Sequence, residues 1–210
     1  MRKEELLNTD LYGITAEEYS KGRDNIEVVQ EMLKAGIEVI QYREKKKNMR
    51  EQYNECKQIR ELTAKANCTF IVNDHVDLAL AVDADGIHLG QEDLPVEVVR
   101  ELVGEKMIIG LSTHGPQQAQ KAVEVGADYI GVGPIFSTNT KEDVVDPVGL
   151  EYLEYVVENI DLPHVAIGGI KEYNIEQVVQ KGAQMIAMVT EIVGADNIQK
   201  RIKNLRDKLN

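Results

Sequence analysis

Short, continuously apolar runs recur along this chain, and each is followed by a stretch in which apolar residues return at helical spacing. The strand-length runs are Leu11–Thr15, Val39–Arg43, Thr69–Val72, Gly86–Leu89, Met107–Leu111, Tyr129–Val132, His164–Ile167 and Met185–Val189. Most lack the alternation of a sheet with one wet face, so they predict strands buried on both faces. The stretches between them predict helices over Asn25–Ala35, Met49–Ala66, Val76–Val82, Pro95–Val103, Gln117–Val125, Leu150–Asn159, Asn174–Gln180 and Asn197–Leu209. Pro95 and Pro116 suit first-turn positions, where the missing N–H costs nothing. Gly36, Gly104, Gly126 and Gly182 each follow a predicted helix, the usual place for a glycine stop.

A helix–glycine–strand junction repeats as Ala35-Gly36-Ile37, Val125-Gly126-Ala127 and Lys181-Gly182-Ala183. Alternating strands and helices imply a parallel sheet with right-handed crossovers, and about eight such units most simply close into a barrel. The expectation is an α/β fold, a single-domain (β/α)8 TIM barrel over residues 1–210, with an open doubly wound sheet as the rival built from the same units.

Charge and composition narrow the partners. The 210 residues carry a formal net charge of −12, which argues against nucleic acid and anionic membranes as partners. It does not forbid phosphorylated small molecules, because single loops can be basic within an acidic whole. Cys56 and Cys68 have no metal-ligand partner at a typical spacing and predict reduced thiols. The charged start, Met1-Arg2-Lys3-Glu4-Glu5, lacks the apolar core of a signal peptide. No apolar run approaches the ~18 residues of a membrane span. A soluble cytoplasmic protein is expected, and a homo-oligomer is compatible with the sequence.

In such barrels chemistry sits at the C-terminal strand ends, and here those ends are chemically loaded. The sixth strand runs into Gly131-Val132-Gly133-Pro134-Ile135-Phe136-Ser137-Thr138-Asn139-Thr140-Lys141. Its glycines allow close backbone approach, its hydroxyls donate to phosphate oxygens, and its lysine adds a mobile positive charge. After the second strand, alternation puts Gln41, Arg43 and Lys45 on one side, where Arg43 and Lys45 can grip a diphosphate; a solvated basic loop is the plainer alternative. Asp74 and Asp93 end neighbouring strands and together suit Mg2+, although each alone reads better as a helix cap. Ser112 at the fifth strand end suits a ligand or a cap. Gly168-Gly169 and Val189-Thr190, at the seventh and eighth ends, suit a phosphate site, with Gly194 near a helix start; a tight turn is the alternative for Gly168-Gly169. His88 reads as a core or lining histidine, and neither it nor His114 is given a catalytic role. The rim thus offers two anion sites, one for a diphosphate and one for a monophosphate.

At these positions the chain resembles the thiamine phosphate synthase family. The likeness runs from about Leu11 to Gly194 and is carried by Gln41-Tyr42-Arg43-Glu44-Lys45, Val72-Asn73-Asp74, Asp85 through Asp93, Gly110 through His114, Gly131 through Lys141 and Ala166-Ile167-Gly168-Gly169-Ile170. The resemblance implies a barrel transferase that joins hydroxymethylpyrimidine diphosphate to a thiazole phosphate, in its carboxylate form or without it, releasing diphosphate. It implies that Gln41, Tyr42, Arg43, Glu44, Lys45, Asn73, Ser112 and Lys141 bind the pyrimidine diphosphate, with Arg43, Lys45, Ser112 and Lys141 closest to the chemistry. It implies Mg2+ on Asp74 and Asp93, and the thiazole phosphate on Thr138, Asn139, Thr140, Gly169, Val189 and Thr190. The chain departs from the family pattern at Asn139, where proline is common, at Thr190, where serine is common, and at Thr15-Ala16, where Thr-Asp is common. A thiazole tautomerase-type barrel is the nearest rival but needs no diphosphate grip or metal. A phosphosugar epimerase or isomerase would want paired acid and base residues or a metal–histidine cluster. A non-catalytic ligand sensor would use the same binding groups.

Overall fold

A computed structural model describes residues 9–138 and 146–209. Asn139, Thr140 and Lys141, three of the expected site residues, lie outside the described residues. Eight parallel strands, β1 (Leu11–Ile14), β2 (Val39–Tyr42), β3 (Thr69–Asn73), β4 (Gly86–Leu89), β5 (Ile108–Thr113), β6 (Tyr129–Val132), β7 (His164–Ile167) and β8 (Met185–Ala187), close into a barrel in chain order. β1 pairs with β8 through Leu11–Ile186 and Tyr12–Ala187, which completes the ring. The helices are α1 (Asn25–Lys34), α2 (Met49–Lys65), α3 (Val76–Ala81), α4 (Val96–Val103), α5 (Pro116–Glu124), α6 (Gly149–Asn159), α7 (Ile175–Gln180), α8 (Val189–Val193) and α9 (Ile198–Arg206). The closed ring rules out the open doubly wound sheet.

The continuous apolar character of the strands has two destinations. Leu11, Ile40, Phe70, Ile87, Ile109, Ile130 and Ile186 face outward and pack beneath the helices. Val39, Ile71, Ile108, Val165 and Met185 face inward and plug the barrel. Nearer the C-terminal ends the inward positions turn polar: Gln41 follows Val39, Asn73 follows Ile71, and Ser112 follows Ile108 and Gly110. The inner face thus changes from apolar to polar along these strands, while the outward positions stay apolar.

Local signals set the helix boundaries. Asp24 with Glu27, and Asn48 with Glu51, form reciprocal capping boxes at the starts of α1 and α2. Pro116 opens α5, whereas Pro95 is the N-cap of α4 and stands just before its first turn. The sequence misses a short 3-10 turn at Glu17–Tyr19 and the five-residue α8. Such pieces are too short to display a period. Two boundaries are corrected by α8. Val189 is its first residue rather than the end of β8, and Gly194 is its C-cap rather than a residue near a helix start.

Three aspartates brace the N-terminal end of the barrel. Asp10, Asp85 and Asp128 stand just before β1, β4 and β6. They pair with Arg206 of α9 (2.7 Å), Arg60 of α2 (2.8 Å) and Arg100 of α4 (2.6 Å). Asp85 and Asp128 also accept the Phe70 and Ile109 N–H groups at 2.8 Å. Each clamp ties a helix to a strand entrance, away from the loaded rim. No helix among the described residues is long and apolar enough to cross a membrane.

Candidate active site

A cavity of about 170 Å³ opens at the C-terminal strand ends. Gln41, Arg43, Asn73, Ser112, Thr138 and Gly169 line it, as do Val189 and Thr190. Residues expected from the ends of β2, β3, β5, β6, β7 and β8 therefore converge on one space. Arg43 is placed by Thr15, whose hydroxyl accepts the Arg43 N–H at 2.8 Å and donates to the Arg43 carbonyl at 3.1 Å. Ser112 caps no helix, since Gly115 holds the N-cap of α5; its Oγ lies 2.9 Å from His88 Nε2.

Two expected residues of the β2 loop turn elsewhere. The Tyr42 hydroxyl donates to Glu55 on α2 at 2.7 Å, so this side chain belongs to the helix layer. Glu44 accepts the Lys45 and Lys46 N–H groups at 2.8 Å and an Asn25 amide N–H at 3.3 Å, outside the cavity wall. The reason is the period of two: residues 42 and 44 fall on the face opposite Gln41 and Arg43.

Lys45 reaches across to Asp74, with Nζ 2.6 Å from Oδ2. Asp74 is not the α3 cap, a position held by His75. Asp74 has φ of 62°, and its N–H donates to the His88 carbonyl at 2.9 Å. Asp93 is not a helix cap either; it accepts the Gly90 N–H at 2.6 Å and braces its own loop. The two carboxylates interact directly. Burial opposes ionisation of Asp74, but the Lys45 ammonium and a hydrogen bond with Asp93 outweigh it and hold Asp74 below the usual carboxylate range. Burial and the Asp74 charge push Asp93 up, against the Gly90 N–H. No third His, Cys, Asp or Glu joins them among the described residues. Lys45, Asp74 and Asp93 do not line the cavity itself; they stand beside it, at the ends of β2, β3 and β4. Two adjacent carboxylates fit Mg2+, an ion that commonly takes one or two carboxylates and completes its shell with water and phosphate oxygens.

On the opposite wall Gly168 and Gly169 have φ of 98° and 64°. A Cβ on Gly168 would meet Pro134 Cα at 2.4 Å, and one on Gly169 would meet the Ser137 carbonyl at 2.5 Å. Glycine is required here for close backbone approach, because the loop after β6 lies directly on the turn after β7. Two hydrogen bonds of 2.9 Å, from the Ile135 and Phe136 N–H groups to the Ile167 and Gly168 carbonyls, seal the contact.

The sequence reading passed over four residues at this site. Asn174 accepts the Lys171 N–H at 2.7 Å and donates to the Gly169 carbonyl at 3.1 Å, which fixes the turn after β7. Lys171 donates to the Thr190 hydroxyl at 2.7 Å and pairs with Glu191 at 3.3 Å. Tyr12 and Tyr129 lie in the barrel interior, with hydroxyls 2.8 Å apart. A usable signal existed for Tyr129. Gly110, its neighbour on β5, is a glycine inside an apolar strand, and a Cβ there would sit 2.1 Å from the Tyr129 ring. His88, read as a lining residue, does line the cavity, and its Nδ1 is 2.9 Å from the Tyr129 hydroxyl.

Fold and site together define a (β/α)8 barrel whose cavity at the C-terminal strand ends is lined by Arg43, Lys171, hydroxyls, glycines and apolar side chains, with the Asp74–Asp93 pair on strand ends beside it. The family model described as thiamine monophosphate synthase matches residues 11–192. The thiamine-phosphate synthase of Pelotomaculum thermopropionicum is 68% identical over 96% of this chain and 92% of its own length. That of Lawsonia intracellularis is 57% identical over 97% and 94%. Among solved structures, a thiamine phosphate pyrophosphorylase from Pyrococcus furiosus superposes with a TM-score of 0.88 at 38% identity, covering 97% of this chain and 96% of that one. The chain belongs to the thiamine monophosphate synthase family.

Proposed function

We propose that this protein joins 4-amino-2-methyl-5-hydroxymethylpyrimidine diphosphate to a thiazole phosphate, giving thiamine phosphate and diphosphate. The observation that carries the reading is the convergence of Gln41, Arg43 and Ser112 on one cavity, with the Asp74–Asp93 pair on neighbouring strand ends, in a chain of this family. In the substitution the bond from the pyrimidine methylene carbon to the diphosphate oxygen breaks, and its electrons leave with diphosphate. The thiazole nitrogen then gives its lone pair to the methylene cation. Arg43, Lys45 and Lys141 meet the charge that builds on the departing group, a preorganised electrostatic contribution. Ser112 donates a hydrogen bond from the floor. Asp74 and Asp93 would hold Mg2+, which when bound supplies further positive charge to the diphosphate oxygens. Thr138, Gly169 and Thr190 support a second anion site for the thiazole phosphate. The chemistry needs no strong protein base or nucleophile. The protein works as one catalytic domain on phosphorylated small molecules in the cytoplasm, where the buried Cys56 and Cys68 stay reduced.

Purified protein given Mg2+ and both substrates is expected to release diphosphate and form thiamine phosphate in equal amounts, followed by diphosphate-coupled assay and chromatography. Absence of product with both substrates bound would leave a ligand sensor as the better account.

A further inference from the structure

Five side chains from five strands form one hydrogen-bonded chain across the cavity floor. Gln41 of β2 donates its Nε2–H to the Tyr12 hydroxyl of β1 at 3.0 Å. The Tyr12 hydroxyl is 2.8 Å from that of Tyr129 on β6. Tyr129 is 2.9 Å from His88 Nδ1 on β4, and His88 Nε2 is 2.9 Å from Ser112 Oγ on β5. Tyr12, Tyr129 and Gln41 are buried, and the rings pack at centroid distances of 6.2 Å (Tyr12–Tyr129) and 5.4 Å (His88–Tyr129).

The donor roles along this chain can run in either sense, and one sense gives every proton a protein acceptor as far as Ser112. In that sense the Gln41 amide N–H donates to the Tyr12 oxygen. The Tyr12 phenol gives its proton to the Tyr129 oxygen. Tyr129 then turns its own proton to His88 Nδ1. Burial raises the pKa of both phenols, so both stay protonated at working pH. An imidazole that accepts at Nδ1 carries its proton on Nε2 and gives it to Ser112 Oγ. The Ser112 proton is thereby aimed away from His88. With Nε2 committed to Tyr12, the carbonyl is the half of the Gln41 amide offered to a ligand. Gln41 and Ser112 both line the cavity.

We propose that Tyr12, Tyr129 and His88 are positioning residues that lock the pocket floor in one hydrogen-bonding polarity, acceptor at Gln41 and donor at Ser112, and so select a 4-aminopyrimidine over its 4-oxo counterpart. The proposal rests on the thiamine-phosphate reading above. An exocyclic amine presents N–H groups to the Gln41 carbonyl, whereas an oxo group presents lone pairs to lone pairs. Once the chain is cut, the Gln41 amide can turn over and offer its N–H groups instead, and the discrimination falls.

The test compares kcat/KM for 4-amino- and 4-oxo-pyrimidine methyl diphosphates in the wild-type protein, Tyr129→Phe and Tyr12→Phe. The wild type is expected to favour the amino substrate by about 30-fold, the size of one mismatched buried hydrogen bond. Tyr129→Phe should lower that ratio about tenfold while leaving the KM for the thiazole phosphate unchanged. Should Tyr129→Phe fail to fold, Tyr12→Phe cuts the same chain one link away. A ratio equal to wild type in a folded variant would overturn the proposal, even if the variant melts earlier, since a merely structural role predicts that result. If the wild type forms no product at all, the biosynthetic reading fails, and nitrogen NMR of the free protein still judges the chain. His88, assigned by comparison with His88→Asn, should show the Nε2–H tautomer. An Nδ1–H tautomer would overturn the proposed polarity.

Discussion

Arg43 and Lys45 leave the same strand end and meet different partners. Thr15 fixes the Arg43 backbone at the cavity edge, whereas Lys45 spans to the Asp74 carboxylate. Arg43→Ala should therefore cost function rather than folding. Loss of a charge-assisted contact to diphosphate is worth about 1.5–3 kcal/mol, so kcat/KM for the pyrimidine diphosphate should fall by roughly 10–150-fold. The melting temperature should barely move, because among the described residues the guanidinium makes no ion pair like the aspartate clamps at the other end. Steady-state kinetics with a thermal melt checks both halves. A large loss of stability with intact turnover would make Arg43 a structural residue.

Among the connecting elements, the tightest join is between the loop after β6 and the turn after β7. Gly168 and Gly169 combine positive φ with a space that a Cβ cannot enter. Gly169→Ala should force the Ser137 carbonyl outward and carry Thr138 with it. Backbone strain of this kind costs about 1–3 kcal/mol. The KM for the thiazole phosphate should rise well beyond what that stability loss explains, measured by kinetics at a temperature where the variant is fully folded. An unchanged KM would show that the turn and the phosphate site are independent.

Across the whole molecule, the aspartate–arginine clamps and the candidate site occupy opposite ends of the barrel. The Asp128–Arg100 pair is largely buried, with side-chain exposures of 13% and 17%, and Asp128 also accepts the Ile109 N–H. Asp128→Ala leaves Arg100 and that N–H with less compensation and should cost about 2 kcal/mol, lowering the melting temperature by roughly 4–8 °C. Activity per folded molecule should be retained, since the pair lies at the strand entrance and the cavity at the strand exits. Calorimetry with kinetics below the transition tests the separation.

The amino-acid sequence by itself determined the eight strand–helix units and the loaded strand ends, and the tertiary structure decided that the strands close into a ring. Doubly buried strands must be continuously apolar, and loaded residues after such strands fall at one end of a parallel barrel. The helices with capping boxes, α1 and α2, were legible for the same local reason. Only the tertiary structure decided which side chains meet. The alternation at β2 already separates Gln41 and Arg43 from Tyr42 and Glu44, but the Tyr42–Glu55 bond depends on how α2 lies against the barrel. Asp74 and Asp93 read as a metal pair or as two helix caps, and the structure decides that neither caps a helix and that Lys45 pairs with Asp74. Tyr12, His88 and Tyr129 look like ordinary core residues in three separate strands. Their hydrogen-bonded chain exists because barrel closure brings strands distant in sequence onto one interior floor, and no spacing along the chain encodes that encounter.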